Sequence, residues 1–388
     1  MAKSRLADRI GLIFPSNIRG AMRLNAAATA AGTVVNLAQG LPEFNSDEIL
    51  KGYAIDAINA NYDKYLDTWG HPPLRQAISA KYKAHYNRTV DAEQEVVVTC
   101  GTSEAIALAI FSLVNPGDEV IVLEPFYENY PPNIVTAGGV PRFVKLHAPD
   151  WTFDRKELAA AFNKRTRAII LNTPHNPTSR VFTKDELEFI ASLCVKWDVM
   201  AITDEIYEHM VFDGERHLAL ANVPGMEDRT ITCSGVSKTF NVTGWRIGWA
   251  VAPKDVCYAM QRLHDYTTLV APSAFQVAAI KALSLPQSFY DDLTLKYEAL
   301  RDEFAGYVEN ANFKFIQPQG TYFLYADASH LGFEDDKATT EYLRTQKGLA
   351  VVAGFGFYRP NTRTQHIRFC FAKYPATLRL AGEKLATL

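Results

Sequence analysis

The residues of this chain best suited to chemistry lie in one stretch, Ser234-Gly-Val-Ser-Lys-Thr-Phe-Asn-Val-Thr-Gly-Trp-Arg-Ile-Gly248. An amine such as Lys238 attacks an aldehyde only when partly neutral, and burial beside other positive charge lowers its pKa toward that state. Arg246, eight residues on, offers a fixed cation for a phosphate, while Gly244 and Gly248 let backbone run close to a ligand. Cys100-Gly-Thr-Ser-Glu-Ala-Ile follows a β-type run and opens a helical pattern through Ile106, Ala109, Ile110 and Leu113. Unpaired amides and the positive dipole end make such a helix start a seat for phosphate, with Thr102 and Ser103 as its contacts. Taken singly, each feature has an ordinary reading: a solvated lysine, or a cap on a structural helix.

Further segments follow in a fixed order. Asp204 ends a predicted strand in Ile-Thr-Asp-Glu-Ile-Tyr, with Tyr207 three residues later. Asn176 stands in Asn-Thr-Pro-His-Asn-Pro-Thr, and Arg368 in His-Ile-Arg-Phe-Cys-Phe. A planar guanidinium grips a carboxylate through two parallel hydrogen bonds, although an alternating strand with an outward arginine would look the same. Together these segments resemble the class I/II aminotransferases, fold type I enzymes that use pyridoxal 5'-phosphate. The likeness runs from about Asn36 to Leu388 and is strongest between Gly101 and Gly248. Asn36-Leu-Ala-Gln-Gly, Pro224-Gly-Met and Lys238-Thr-Phe-Asn-Val-Thr-Gly-Trp look closest to the kynurenine, glutamine, methionine and aromatic transaminase branch.

The resemblance implies roles. Lys238 holds the cofactor as a Schiff base and moves the substrate's α-proton. Asp204 pairs with the pyridine nitrogen, and a buried carboxylate there keeps the ring an electron acceptor. Tyr207 and Asn176 hydrogen-bond the cofactor's 3'-oxygen, and Tyr127 in Glu-Pro-Phe-Tyr stacks on the ring. Thr102, Ser103, Ser237 and Arg246 hold the phosphate. Tyr65, in Asp63-Lys-Tyr, reaches the phosphate of a neighbouring subunit, which implies a homodimer with shared sites. Gly40, Asn176 and Arg368 contact the substrate, Arg368 through its carboxylate. This chain departs from the family pattern at Ser179, where a glycine is usual after Asn-Pro-Thr, and at Gly235, where many relatives carry a phosphate-binding serine. Ser237 and Ser234 are then the candidates for that contact.

These residues need a scaffold. From about residue 96, short β-branched runs alternate with helical patterns, which predicts a largely parallel sheet covered on both faces. Strands are expected at Val96 to Thr99, Glu119 to Leu123, Ala168 to Leu171, Val199 to Thr203, Thr230 to Cys233 and Ile247 to Val251. Open α/β sheets bind ligands at the C-terminal ends of such strands. Thr183 and Glu186 form a capping-box start for a covering helix to Trp197. Beyond residue 285, a helix from Pro286 to Asn310 precedes β-type runs at Phe313 to Ile316, Tyr322 to Ala326, Leu349 to Val352 and His366 to Phe371. The expected fold class is therefore α/β. A large cofactor-binding domain over 46–283 carries a mostly parallel sheet, seven-stranded by resemblance, and a smaller α+β domain combines 1–45 with 284–388.

Bulk properties narrow the function. At 388 residues with 48% hydrophobic and 21% charged content, the chain has ample material for two packed domains. A formal net charge of -3 without Lys/Arg runs lacks the footprint of a nucleic-acid binder. No metal motif and no membrane-length apolar run occurs. Five widely spaced cysteines and the absence of a signal-peptide pattern before Pro15 make the cytoplasm the expected compartment. The expected activity is transfer of an amino group from an L-amino acid to a 2-oxo acid by a ping-pong route. The alternatives are another reaction on the same apparatus, such as β-elimination from a cysteine conjugate or amino-acid oxidation, and a non-catalytic sensor. A sensor would carry a DNA-binding module, for which about 35 preceding residues leave little room.

Overall fold

Unbroken β-branched runs such as Val96-Val-Val and Ala168-Ile-Ile-Leu suit strands buried on both faces, and that is how they fold. The computed structural model describes residues 5–388; residues 1–4, part of the expected 1–45 segment, lie outside the described residues. In chain order the strands are β1 (Val35–Asn36), β2 (Val96–Cys100), β3 (Glu119–Glu124), β4 (Val140–His147), β5 (Thr152–Phe153), β6 (Thr166–Asn172) and β7 (Met200–Asp204). They continue with β8 (Thr230–Gly235), β9 (Ile247–Val251), β10 (Phe323–Asp327), β11 (Leu349–Ala350), β12 (Val352–Ala353) and β13 (His366–Cys370).

The large sheet has the order β2-β9-β8-β7-β6-β3-β4-β5. Seven strands carry it, and the two-residue β5 adds an eighth at the edge, antiparallel to β4. Strands β4, β3, β6, β7 and β8 run parallel, while β9 runs antiparallel between β8 and β2. The C-terminal ends of β2, β3, β6, β7 and β8 and the start of β9 therefore share one edge. The expected edge strand list lacked β4, whose burial alternates only weakly before Val144.

The expected covering helix forms as Lys184–Trp197 with Thr183 as N-cap, and its capping box is complete: Thr183 Oγ1 accepts from the Glu186 amide while Glu186 accepts from the Thr183 amide. Such caps contribute about 1 kcal/mol. The long helix runs Gln287–Asn310, close to expectation. It packs its buried Tyr297, Leu300, Phe304 and Val308 into one apolar core with Phe369, Phe371 and Leu378.

Two expectations for the C-terminal region fail. Phe313 to Ile316 is no strand, making only the isolated bridge Lys314–Asp327, because the chain then turns so that the Gln319 and Gly320 amides donate to Ser179. Leu349 to Val352 is not one strand but two: β11 pairs parallel with β1, and β12 pairs antiparallel with β13. The first 45 residues also hold an unexpected helix, Asn17–Ala30, capped by Ser16 and tied to β12 through an Asn17 amide bond to Ala353.

Candidate active site

Sheet register assembles the site. Asn172 at the end of β6 lies opposite Asp204 at the end of β7, which lies opposite Cys233 of β8; Gly235 pairs with Gly248, and Cys100 with Ile247. The segments that follow these strand ends close a cleft of about 370 Å³. Its lining includes Gly40, Thr102, Ser103, Tyr127, Asn176, Asp204, Tyr207, Ser237, Lys238, Arg246, Phe323 and Arg368. Every expected site residue except Tyr65 is thus brought together within one chain. Tyr65 is 77% exposed and lines no part of the cleft.

Lys238 follows β8, and its half-buried side chain donates from Nζ to the Gly40 carbonyl at 3.3 Å. The amine faces the rings of Tyr207 and Tyr322 at 5.9 and 5.7 Å. Burial pushes its pKa down to about 8, assisted by Arg368 and Arg246 and opposed by Cys370 and Asp204. Asp204 is buried and accepts a 2.8 Å hydrogen bond from the Tyr130 hydroxyl. Burial raises its pKa to about 6, and the Tyr130 bond holds that rise back. A nearby cation would return this carboxylate to its ionised form.

Arg368 is 1% exposed and, among the described residues, has no carboxylate partner. One Nη donates to Asn176 Oδ1 at 2.8 Å, the other to the Ala38 carbonyl at 3.4 Å, and its Nε lacks a partner. The guanidinium lies 4.0 Å from the Phe323 ring centroid. Asn176 is itself fixed, its amide N–H donating to Asn172 Oδ1 at 2.7 Å, so its Nδ2 remains available to donate. A buried, incompletely satisfied guanidinium demands an anion.

On the other side, Gly101 precedes the Thr102–Leu113 helix with φ +78°, and Arg246 folds over it, donating to the Cys100 carbonyl at 3.2 Å. A Cβ at Gly101 would meet the Arg246 guanidinium at 2.3 Å, and one at Gly248 would meet Gly101 and Thr102 backbone at 2.4 Å. This helix start, its open amides and the arginine form a cradle that could hold a phosphate. Because backbone cannot yield as a side-chain tip can, Gly248→Ala is expected to cost about 1–3 kcal/mol of stability and to loosen the cradle, read as a lower thermal midpoint and lower cofactor occupancy.

A profile for aminotransferase class I and II matches residues 32–385. The chain belongs to this family. The aminotransferase is 37% identical over 386 residues to kynurenine–oxoglutarate transaminase 3 of Bos taurus, covering 90% of this chain and 84% of that protein. It is 38% identical over 377 residues to a probable N-succinyldiaminopimelate aminotransferase of Mycobacterium tuberculosis, covering 94% of each. Among solved structures it superposes on N-succinyldiaminopimelate aminotransferase from Mycobacterium tuberculosis with TM-score 0.94 and 37% identity, over 98% of this chain and 99% of that one. An Escherichia coli protein identified as a methionine aminotransferase matches with TM-score 0.94 and 29% identity over all of both chains. The fold is that of the pyridoxal-phosphate-dependent aminotransferases, fold type I, as the motifs led us to expect.

The departure at Gly235 has a structural cause. A Cβ at Gly235 would approach the Ile247 carbonyl at 2.8 Å and Thr102 Oγ1 at 3.0 Å, so Thr102 fills the space of a side chain there. Ser234 is not available to a ligand: its buried hydroxyl donates to Glu208 Oε1 at 2.5 Å, within a network that includes the Lys81–Glu208 ion pair at 2.6 Å. Ser237 lines the cleft. The neighbours Phe126 and Tyr127 also separate cleanly, because Phe126 stacks on Phe143 at 5.3 Å inside the core while Tyr127 lines the cleft. Tyr130, Asn172 and Tyr322 were missed as site residues. Only the hydroxyphenyl of Tyr130, in the helix after Tyr127, carried any local sign, and nothing in sequence links it to Asp204.

Among the described residues, no group of three His, Cys, Asp or Glu side chains could hold a metal ion, and no helix is long and apolar enough to cross a membrane.

Proposed function

We propose that this aminotransferase holds pyridoxal 5'-phosphate in the cleft and moves an amino group between L-amino acids and 2-oxo acids by a ping-pong route. One observation carries the reading: an amine of depressed pKa, a buried carboxylate, a phosphate cradle and an incompletely satisfied buried guanidinium line the same cleft. The donor set fits the group. Lys238 would attach to it covalently, and Asp204 would hold the proton on its ring nitrogen. Tyr207 and Asn176 would donate to its 3'-oxygen, Tyr127 would stack on its ring, and Thr102, Ser103, Ser237 and Arg246 would hold its phosphate. When bound, the cofactor supplies a carbonyl carbon for the amino group and a conjugated ring for electrons leaving the α-carbon.

Arg368 and the Gly40 backbone bind the α-carboxylate, which fixes the substrate's Cα within reach of Lys238. Freed Lys238 Nζ then takes the α-proton and returns it one position along the same face. The buried rings of Tyr207 and Tyr322 shield one side of that amine. The test is to reconstitute the protein with pyridoxal phosphate and follow products: stoichiometric amino transfer supports the reading, whereas release of pyruvate and ammonia from a cysteine conjugate assigns the lyase outcome instead. Among donors, kynurenine, aromatic residues, methionine and glutamine come first, in keeping with the motifs and the named relatives.

The amine's depressed pKa gives a pH dependence. Protonated Lys238 cannot attack, so covalent attachment of added cofactor to the apoprotein is expected to accelerate about tenfold per pH unit below pH 8 and to level above it. Stopped-flow absorbance reads the rate; a rise continuing toward pH 10.5, where an ordinary lysine titrates, contradicts the assignment.

We further propose a homodimer. Tyr65, Ile55, Ile58 and Tyr266 are 77, 57, 58 and 92% exposed, an apolar surface suited to a second copy, with Tyr65 reaching the partner's phosphate. The cofactor domain is taken as 46–283 and the smaller one as 1–45 with 284–388. Five unpaired cysteines favour the cytoplasm.

A further inference from the structure

We propose that Glu208, which lines no part of the catalytic cleft, is a positioning residue: through Ser234 it ties the segment carrying Tyr207 to the one carrying Ser237 and Lys238, and so sets the lysine against the phenol and the phosphate cradle. The inference rests on the cofactor and aminotransfer reading above. Glu208 directly follows Tyr207, and Ser234 stands four residues before Lys238. Pairing of β7 with β8 ends at Asp204 and Cys233, followed by one bond from the Glu205 amide to the Cys233 carbonyl at 2.9 Å. Beyond it the Tyr207 segment has left the sheet. The Ser234 hydroxyl, donating to Glu208 Oε1 at 2.5 Å, joins that segment back to β8 across 26 positions of sequence.

Both ends of this tie are anchored. Glu208 Oε2 accepts from Lys81 Nζ at 2.6 Å and from the Tyr86 hydroxyl, two groups of the Pro72–Tyr86 helix. The side chains of Lys81 and Glu208 are 3 and 2% exposed. Burial by itself would raise the Glu208 pKa, but Lys81 and the bonds from Lys81 and Ser234 outweigh it and hold the carboxyl well below the usual range. Ser234 is engaged at its other polar atom as well, its carbonyl accepting from Thr102 Oγ1 at 3.0 Å. One buried carboxylate therefore connects the phenol, the lysine turn and the phosphate cradle from behind. A buried ion pair adds little net stability over apolar packing, since desolvation offsets most of the Coulomb attraction. What this cluster supplies is the fixed relative placement of three groups, and misplacement by on the order of 1 Å can cost about a hundredfold in rate.

Ser234→Ala removes the tie and leaves the Lys81–Glu208 pair and the Tyr86 bond in place, so it should fold. Per cofactor-loaded site, kcat of this variant is expected to fall about ten- to a hundredfold with KM little changed. A readout without turnover is the pH at which the visible absorbance of bound pyridoxal 5'-phosphate titrates. A Tyr207 phenol donating to the cofactor's 3'-oxygen stabilises its anionic form and lowers that pH, so a displaced phenol should raise it by about one unit. Glu208→Gln, which weakens the same bond by removing the charge, is expected to move both readouts in the same direction; if it fails to fold, Ser234→Ala alone decides. Wild-type kcat and titration in Ser234→Ala overturn the role, whatever happens to the thermal midpoint, because the cluster then only supports the fold. A fall in kcat without a shift of the titration overturns it too, since the phenol has not moved. Wild type that shows the titration but transfers no amino group would sink the aminotransfer reading, and the titration of Ser234→Ala would still decide the tie.

Discussion

Lys238→Ala is expected to lose essentially all amino transfer, with kcat lower by on the order of 10⁴, the upper range for removal of a general acid or base. The size follows from the absence of a substitute. Among the described residues lining the cleft there is no second lysine and no histidine, so no other group near neutral pKa can take the α-proton. Among the described residues lining the cleft the same amine is the only one, and the proposed covalent attachment rests on it. Its pKa of about 8 leaves a usable neutral fraction at physiological pH, which burial and the two arginines supply. The variant should fold, because Lys238 makes one long bond, 3.3 Å to the Gly40 carbonyl. The checks are kcat from 2-oxo acid formation and mass spectrometry of borohydride-treated protein, in which cofactor should be fixed to the Lys238 peptide in wild type alone. Normal turnover in the variant would remove the basis of the assignment.

Asp204→Asn is expected to lower kcat by about 10²–10³ with a smaller change in KM, a magnitude typical for losing one preorganised electrostatic group. The substitution preserves shape and can still accept the Tyr130 hydroxyl bond, so it removes little except charge. Burial raises the Asp204 pKa to about 6, so its ionised form carries a cost that a neighbouring cation would offset. In the proposed function, a protonated ring nitrogen of the cofactor would be that cation. With asparagine at 204 no anion would hold a proton on that nitrogen, so the cofactor would supply a weaker electron acceptor. Asp204→Glu, restoring charge at the wrong distance, should recover part of kcat. The assignment fails if Asp204→Asn turns over as wild type does. A loss matched by Tyr130→Phe alone would instead indicate that the hydrogen bond, not the charge, matters.

Much of the scaffold was legible because strands buried on both faces must be apolar throughout, and the six central runs carry that mark. Element ends were harder to read. Phe313 to Ile316 has the composition of a strand but finds only one bridging pair, since pairing depends on where the partner chain runs. Likewise Leu349 to Val352 divides between β1 and β13, a choice that strand composition cannot encode. The Asn17–Ala30 helix was invisible for another reason: its inward face mixes Ile18, Ala21 and Met22 with the buried polar Asn25, and Ser16 and Glu128 fix its start across 112 positions of sequence.

Local sequence determined the reactive groups themselves. Lys238, Arg246 and the glycines between and after them are close in the chain, and it is the joint occurrence of a lysine signature, a strand-ending aspartate and a helix start after Gly101, not any one of them, that points to the chemistry. Tertiary structure alone decided the partnerships. Tyr130 reaches Asp204 across 74 positions and Arg368 reaches Asn176 across 192, while Thr102 takes the room at Gly235 and Glu208 takes the hydroxyl of Ser234. The first of these follows from the large sheet, whose register places the ends of distant strands on one edge, and the second from docking of the small antiparallel sheet that carries Arg368; both depend on packed neighbours rather than on any single segment.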